Sequence, residues 1–151
     1  MTNNILLFIT LFSILASGCC SKKSGEMKTI DSKSAFYDDA WELESLSGPH
    51  ITFDGLYPDK KPYIIFKDSG NQYSGDTSCN VYSGKYTKKE NNIHFGNTIK
   101  TMAYCEGGGE ETFLNLLGKV TKFAIDNDGK LLLLSDDVPI MRFKKIAKPQ
   151  Q

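Results

Sequence analysis

The 151-residue sequence has little arginine, little histidine and no net charge. Its 18 basic residues balance its 18 acidic ones, and Arg142 is the single arginine. A chain without net charge lacks the positive electrostatic potential that attracts nucleic acids or anionic polymers. A single guanidinium also offers little bidentate recognition of phosphate or carboxylate. The composition therefore excludes partners that are bound by bulk electrostatics, and we expect no nucleic-acid partner.

The motifs of common catalytic and metal sites are also missing. The chain has no Gly-x-Ser-x-Gly elbow and no Cys-x-x-Cys pair, and its two histidines, His50 and His94, are far apart. We interpret His50 as a turn residue and His94 as an outward-facing strand residue. The sequence thus predicts no enzyme, no cofactor and no metal. A hydrolase built around one of these histidines is the third and weakest hypothesis.

The N-terminal segment is apolar and carries no charge from residue 1 to 18. The run from Ile5 to Ala16 has the length of a signal-peptide core and is too short to span a bilayer. It ends in Ala-Ser-Gly before Cys19, which resembles a bacterial lipobox, although the usual basic residues at the start are lacking. We therefore predict a lipoprotein signal peptide over 1–18, lipid on Cys19, and a location in the cell envelope at the outer membrane, facing the periplasm. An unlipidated secreted protein is the alternative.

Residues 19–39 are polar and rich in serine and lysine, which predicts a flexible tether. The remaining length suffices for one domain, which we place at 40–147. Ala35, Phe36 and Tyr37 offer an earlier start for the folded part.

The domain reads as a β-sheet protein with one helix. Nine short β-rich runs lie between Trp41 and Lys145, separated by turn residues, and Asn92–Phe95 and Ile99–Tyr104 are two of them. Between Glu110 and Val120 the apolar residues instead follow a helical spacing. We predict a mainly β (α+β) fold, a small antiparallel, open barrel-like sheet of about eight strands with one amphipathic helix.

Two cysteines remain outside the lipobox, Cys79 and Cys105. In a domain exported to an oxidising compartment such a pair favours a disulfide over a redox or metal site. Free buried thiols are the alternative.

The residues around these cysteines resemble the META domain, also called the HslJ-type domain. The segment from Cys79 to Tyr86 matches its Cys-Asn-x-aromatic-x-Gly-x-Tyr pattern, Thr101 to Cys105 is similar to its Thr-x-Met-Ala-Cys segment, and Trp41 opens the domain. Ser78 stands where the family usually has glycine. The matching motif residues are Trp41, Gly75, Asn80, Tyr82, Gly84, Tyr86 and Thr101.

The resemblance implies an open barrel-like β-sheet with one helix, bridged cysteines and no shared catalytic residues. It also implies an envelope or secreted protein linked to stress responses. The leading hypothesis is a non-enzymatic, lipid-anchored envelope protein, a monomer that binds or supports envelope components under stress. The second hypothesis is a carrier or sensor of a small apolar ligand, because tyrosines of the first strands could line a barrel mouth.

Overall fold

The computed structural model describes residues 36–37, 39–48 and 52–149. The predicted signal peptide, Cys19 and His50 lie outside the described residues. The elements are β1 (Ala40–Leu46), α1 (Phe53–Leu56), β2 (Tyr63–Lys67), β3 (Gln72–Asp76), β4 (Val81–Lys89), β5 (Asn92–Lys100), α2 (Gly109–Leu117), β6 (Lys122–Ile125), β7 (Leu131–Ser135) and β8 (Val138–Ile146).

The eight strands form one antiparallel sheet in which each strand pairs with its neighbours along the chain, and β8 pairs with β1 to complete a ring. The predicted fold class is confirmed: the domain is mainly β and barrel-like. The ring is weakest between β5 and β6, which share a single residue pair, Asn92 with Lys122. The sheet is therefore nearly open at this seam.

Alternating side chains explain how these strands bury a common core. In β8, Met141 and Phe143 are buried, whereas Arg142 and Lys144 point outward into ion pairs with acidic residues of neighbouring strands and turns. The largest fully buried side chains are mostly aromatic and fill the inside of the ring: Trp41, Tyr73, Tyr82, Phe36, Phe66, Phe113 and Phe143. Burial of one apolar face of each strand thus holds the ring together.

Two predicted strands are corrected by the structure. The predicted strands Asn92–Phe95 and Ile99–Tyr104 are separated by Gly96-Asn97-Thr98, which begins like a turn, but β5 runs without interruption from Asn92 to Lys100. A register shift opposite Lys85, between Gly84 and Tyr86 of β4, absorbs the irregularity. The segment from Thr101 to Cys105 is not a strand.

The predicted amphipathic helix is present as α2, with Phe113 and Leu117 in the core. It ends at Leu117, so Lys119 lies beyond its last turn. The four-residue helix α1 was not predicted. Thr52 caps it by accepting a hydrogen bond from the Gly55 N–H.

Phe36 belongs to the folded part. Its side chain is fully buried and stacks on Phe66, and its backbone carbonyl accepts a hydrogen bond from Trp41 Nε1. The folded part therefore begins before residue 40. None of the helices that the structure describes has the length and apolar composition needed to cross a bilayer.

Candidate binding surface at the disulfide-closed end

A disulfide joins Cys79 to Cys105, as the sequence predicts. Cys79 lies in the turn between β3 and β4, and Cys105 lies in the segment that follows β5, with 5.9 Å between their Cα atoms. The bridge attaches this segment to the end of the sheet. The alternative of free thiols is wrong.

Asn80 fastens the same segment by hydrogen bonds. Its side chain is 1% exposed, and its Oδ1 accepts from the Thr101 hydroxyl at 2.7 Å and from the Ala103 N–H at 2.8 Å. Its Nδ2 donates to the Ala103 carbonyl at 2.9 Å. The two family-motif residues Asn80 and Thr101 thus meet, and together they hold the backbone on both sides of Met102.

Glu110, in the first turn of α2, completes this cluster. Its carboxylate accepts from the Thr77 hydroxyl at 2.6 Å and from Asn80 Nδ2 at 2.9 Å, and it forms an ion pair with Lys100 Nζ at 2.6 Å. Burial alone would raise the pKa of Glu110, but the hydrogen bonds from Lys100, Thr77 and Asn80 outweigh it and hold that pKa below its ordinary value. The cluster therefore links the turn, the segment after β5 and α2 through an ionised carboxylate.

The segment from Thr101 to Cys105, which is held by these contacts, exposes two large side chains to solvent. Met102 and Tyr104 are each 88% exposed, while Asn80 holds the intervening Ala103 by its backbone. Val81, the first residue of β4, and Ile99 near the end of β5 are 56% and 71% exposed on the adjoining sheet. Exposed apolar side chains on a segment that is held in place are typical of a binding surface. Met102, Tyr104, Val81 and Ile99 are called the apical surface below.

The glycines of the family motif make room for buried tyrosines. A Cβ atom at Gly84 would overlap the ring of Tyr73, and one at Gly75 would overlap the Tyr63 carbonyl. Tyr73 uses this space to place its hydroxyl 2.6 Å from the Thr98 hydroxyl. These glycines therefore shape the core and do not form part of the apical surface.

The remaining motif residues are also structural. Tyr82 and Tyr86 point into the ring and donate their hydroxyls to backbone carbonyls of β2 at 3.1 and 3.2 Å, and Trp41 is fully buried. Burial raises the pKa of both tyrosines. Tyr73, Tyr82 and Tyr86, which the second hypothesis placed at a barrel mouth, are instead buried inside the ring.

The described residues assemble little that could carry out catalysis. His94 is exposed on β5 and forms no hydrogen bond with a hydroxyl or carboxylate of the described part of the chain. Within residues 36–37, 39–48 and 52–149, no three His, Cys, Asp or Glu side chains converge as metal ligands do. What the arrangement can do is present a stiff apolar surface to a partner.

Sequence reasoning did not identify Glu110 as part of the Asn80 cluster, or Met102 and Tyr104 as exposed. In the sequence, Glu110 is simply an acidic residue at the start of the predicted helix, where a carboxylate also complements the helix dipole. An available signal was the pair of large side chains beside a cysteine in a segment that lacks any core-facing periodicity.

Comparison with known proteins identifies relatives of the whole domain. A family model described as META domain matches residues 34–147. An NMR structure of a protein from Burkholderia xenovorans is similar, with a TM-score of 0.59 and 20% identity over 78% of this chain and 88% of that chain. A crystal structure of a duf4847 family protein from Bacteroides vulgatus has a TM-score of 0.55 and 10% identity over 78% of this chain and 99% of that chain. A search of curated proteins found no match.

Proposed function

This chain belongs to the META domain family, and from that premise we propose that it is a non-enzymatic, lipid-anchored protein of the bacterial cell envelope that binds an envelope component through the apical surface. The observation that supports the proposal is the solvent exposure of Met102 and Tyr104 on a segment that is held in place. Both are 88% exposed, yet the segment that bears them is held by a disulfide and by the buried Asn80 clamp. Because the backbone that bears these side chains is already held in place, binding costs little backbone conformational entropy.

The lipid anchor is the second part of the proposal. It is supported by Cys19 and its lipobox-like flank in the sequence. A tether of about 20 residues after Cys19 would have a root-mean-square reach of roughly 25 Å. Tethering raises the local concentration of the domain near other components of the same membrane, so a weak contact at the apical surface would suffice. We place the protein at the outer membrane, facing the periplasm, in a role that supports the envelope under stress.

Site-specific photocrosslinking in living cells tests the binding surface. The photoreactive p-benzoylphenylalanine replaces Tyr104 in one variant and Val138 in a control, because Val138 is 63% exposed in the β7–β8 hairpin, outside the apical surface. We expect a discrete crosslinked partner from position 104 and none from position 138. Equal patterns at the two positions would contradict the proposal.

The anchor and the stress role have separate tests. Metabolic labelling with an alkyne fatty acid should label the wild-type chain and leave Cys19→Ser unlabelled. A gene deletion should sensitise cells to detergent, and wild-type protein or Val138→Ser should restore resistance, whereas the combined Met102→Ser and Tyr104→Ser variant should not. Labelling of Cys19→Ser would refute the anchor, and full rescue by the double variant would refute the surface.

The second hypothesis, a carrier of a small apolar ligand inside the ring, has no support from the geometry. The described interior is occupied by fully buried aromatic side chains, including Tyr73, Tyr82 and Phe113. The Tyr82 ring contacts Phe113 at a centroid distance of 5.5 Å. A ligand would have to displace this packing, so the binding role proposed above is assigned to the outside of the domain.

A further inference from the structure

Within the described part of the chain, one edge of β5 has no partner strand over most of its length. Asn92 pairs with Lys122 of β6, and from His94 to Lys100 the described strands pair with β5 only on its β4 side. The Thr101 N–H donates to the Val81 carbonyl, so it points towards β4. Because backbone groups alternate in direction along a strand, those of Thr98 and Lys100 point away from β4. Such an edge can template another strand.

The side chains beside this edge are apolar and basic. Ile99 is 71% exposed and lies opposite Ser83 of β4 on the outer face of the sheet. A groove on the outer face runs from Ile99 back across β4 towards β3, and it is lined by Ile99, Ser83, Lys85 and further polar or lysine side chains, without a carboxylate. At the edge itself, Lys100 forms an ion pair with Glu110. Lys85 forms no ion pair with any described residue.

Lys85 supplies a positive charge on the outer face of the sheet, one strand in from the open edge. Lys85 occupies the register shift of β4, opposite the part of β5 that contains Gly96. Because Gly96 has no side chain, nothing of that residue separates Lys85 from a strand that is placed beside β5. A strand added beside β5 would lie two strand spacings, about 10 Å, from β4, so the lysine stem and a glutamate side chain of that strand would together bring the two charges into contact over Gly96. The charge of the surface is therefore complementary to an acidic segment.

We propose that the free edge of β5 binds an extended, acidic peptide segment of a partner protein as an added strand, with apolar side chains on Ile99 and a carboxylate near Lys85. This inference rests on the proposed binding function and specifies its partner class. Main-chain hydrogen bonds to Thr98 and Lys100 would supply affinity, and the side chains would supply selectivity, as in other cases of strand addition.

The test uses the full chain in detergent micelles and a synthetic heptapeptide of alternating valine and glutamate. At about ten times the Kd of this peptide, we expect amide hydrogen exchange at Thr98 and Lys100 to slow about tenfold. The Ile99 amide, which already faces β4, should keep its rate. A peptide with proline at its centre should not bind, because proline lacks the N–H donor and resists strand pairing.

Charge reversal tests the acidic preference. Lys85→Glu should weaken the glutamate peptide about tenfold, since an exposed attraction becomes a repulsion, and should favour a peptide with lysine in place of glutamate. Lys119→Glu makes the same change in net charge on the exposed turn after α2 and should leave both affinities unchanged.

Three results would overturn the inference: no binding of the glutamate peptide at millimolar concentration, binding that leaves Thr98 and Lys100 exchanging at their free rates, or equal binding of the proline peptide. Heparin serves as a further probe. If heparin competes with the glutamate peptide while amide exchange at Thr98 and Lys100 is not slowed, Lys85 recognises charge alone. If photocrosslinking at position 104 succeeds and any of these three results is also obtained, the proposed function stands and strand addition is refuted. Failure of both experiments would remove both.

Discussion

Replacing Asn80 by aspartate should strongly destabilise the domain at neutral pH while changing almost nothing in size. The Asn80 Nδ2 group donates to the Ala103 carbonyl and to Glu110, each at 2.9 Å. In Asn80→Asp both contacts become contacts between oxygens, and one of them joins two carboxylates. The substitution therefore destabilises the folded state at two contacts, whereas the hydrogen bonds accepted by Oδ1 are unchanged.

The expected loss of stability follows from these two contacts. A buried acceptor left without its donor costs about 1–3 kcal/mol, and the ion pair of Glu110 with Lys100 relieves part of the repulsion. We expect a total near 3 kcal/mol, which lowers the Tm by about 15 °C in a domain of this size. Trp41 is the single tryptophan and is fully buried, so its fluorescence reports urea unfolding directly.

The effect should shrink as the pH falls. In the folded variant the neighbouring Glu110 carboxylate raises the pKa of the introduced carboxyl above its ordinary value near 3.9, so its penalty is present at neutral pH and disappears as it protonates. In the wild type the pKa of Glu110 is lowered on folding, so that stabilisation is present at neutral pH and is lost at acidic pH. Both changes bring the variant and the wild type closer together towards pH 4.

Asn92→Asp is the matched control, because Asn92 is exposed at the start of β5. Its effect should remain within about 0.5 kcal/mol, as for other surface substitutions. Urea unfolding of the wild type and both variants between pH 4 and 8 provides the comparison. If Asn80→Asp matched the control at pH 7, or if its cost did not depend on pH, the assigned role of the cluster would be wrong.

Three further predictions concern stability and use the same assay. Reduction of the disulfide should lower the free energy of unfolding by about 3.5 kcal/mol in the chain-entropy model, and an unchanged urea midpoint under reductant would argue against this. Gly84→Ala should lower the free energy of unfolding by about 2–3 kcal/mol because its Cβ would overlap the Tyr73 ring. In the control Gly118→Ala the added Cβ has room, and stability should change by less than about 0.5 kcal/mol. Equal effects of the two substitutions would show that Tyr73 can move. Ser78 has a φ of 79°, so Ser78→Gly should stabilise the domain by about 0.5–1 kcal/mol, and a destabilisation would mean that the serine side chain compensates for the backbone.

Much of the fold could be predicted because its causes are local. Alternation of apolar residues identifies strands such as β8, where Met141 and Phe143 face the core. The four-residue spacing of Phe113 and Leu117 identifies α2. The same reasoning wrongly predicted an interruption over the three residues from Gly96 to Thr98, where β5 is continuous. A turn and a bulge look alike in sequence, and the register of the partner strand decides between them.

The apical surface and the Asn80 cluster could not be predicted in the same way. Asn80, Thr101 and Glu110 each looked like an ordinary turn, strand or helix residue, and their hydrogen bonds span between 21 and 30 positions. Only a particular pairing of β4 with β5, followed by α2, brings Asn80 within 3 Å of both Thr101 and Glu110.

The sequence by itself determined the strand content, the amphipathic helix, the pairing of two cysteines and the resemblance to a family, because each depends on residue type and spacing along the chain. Tertiary structure alone decided that Met102 and Tyr104 face solvent, that Glu110 ionises within a hydrogen-bonded cluster, and that β5 keeps a free edge. Solvent exposure, ionisation and the pairing of strand edges depend on which residues distant in sequence come into contact. Those contacts form only when the β-strands assemble into the complete ring.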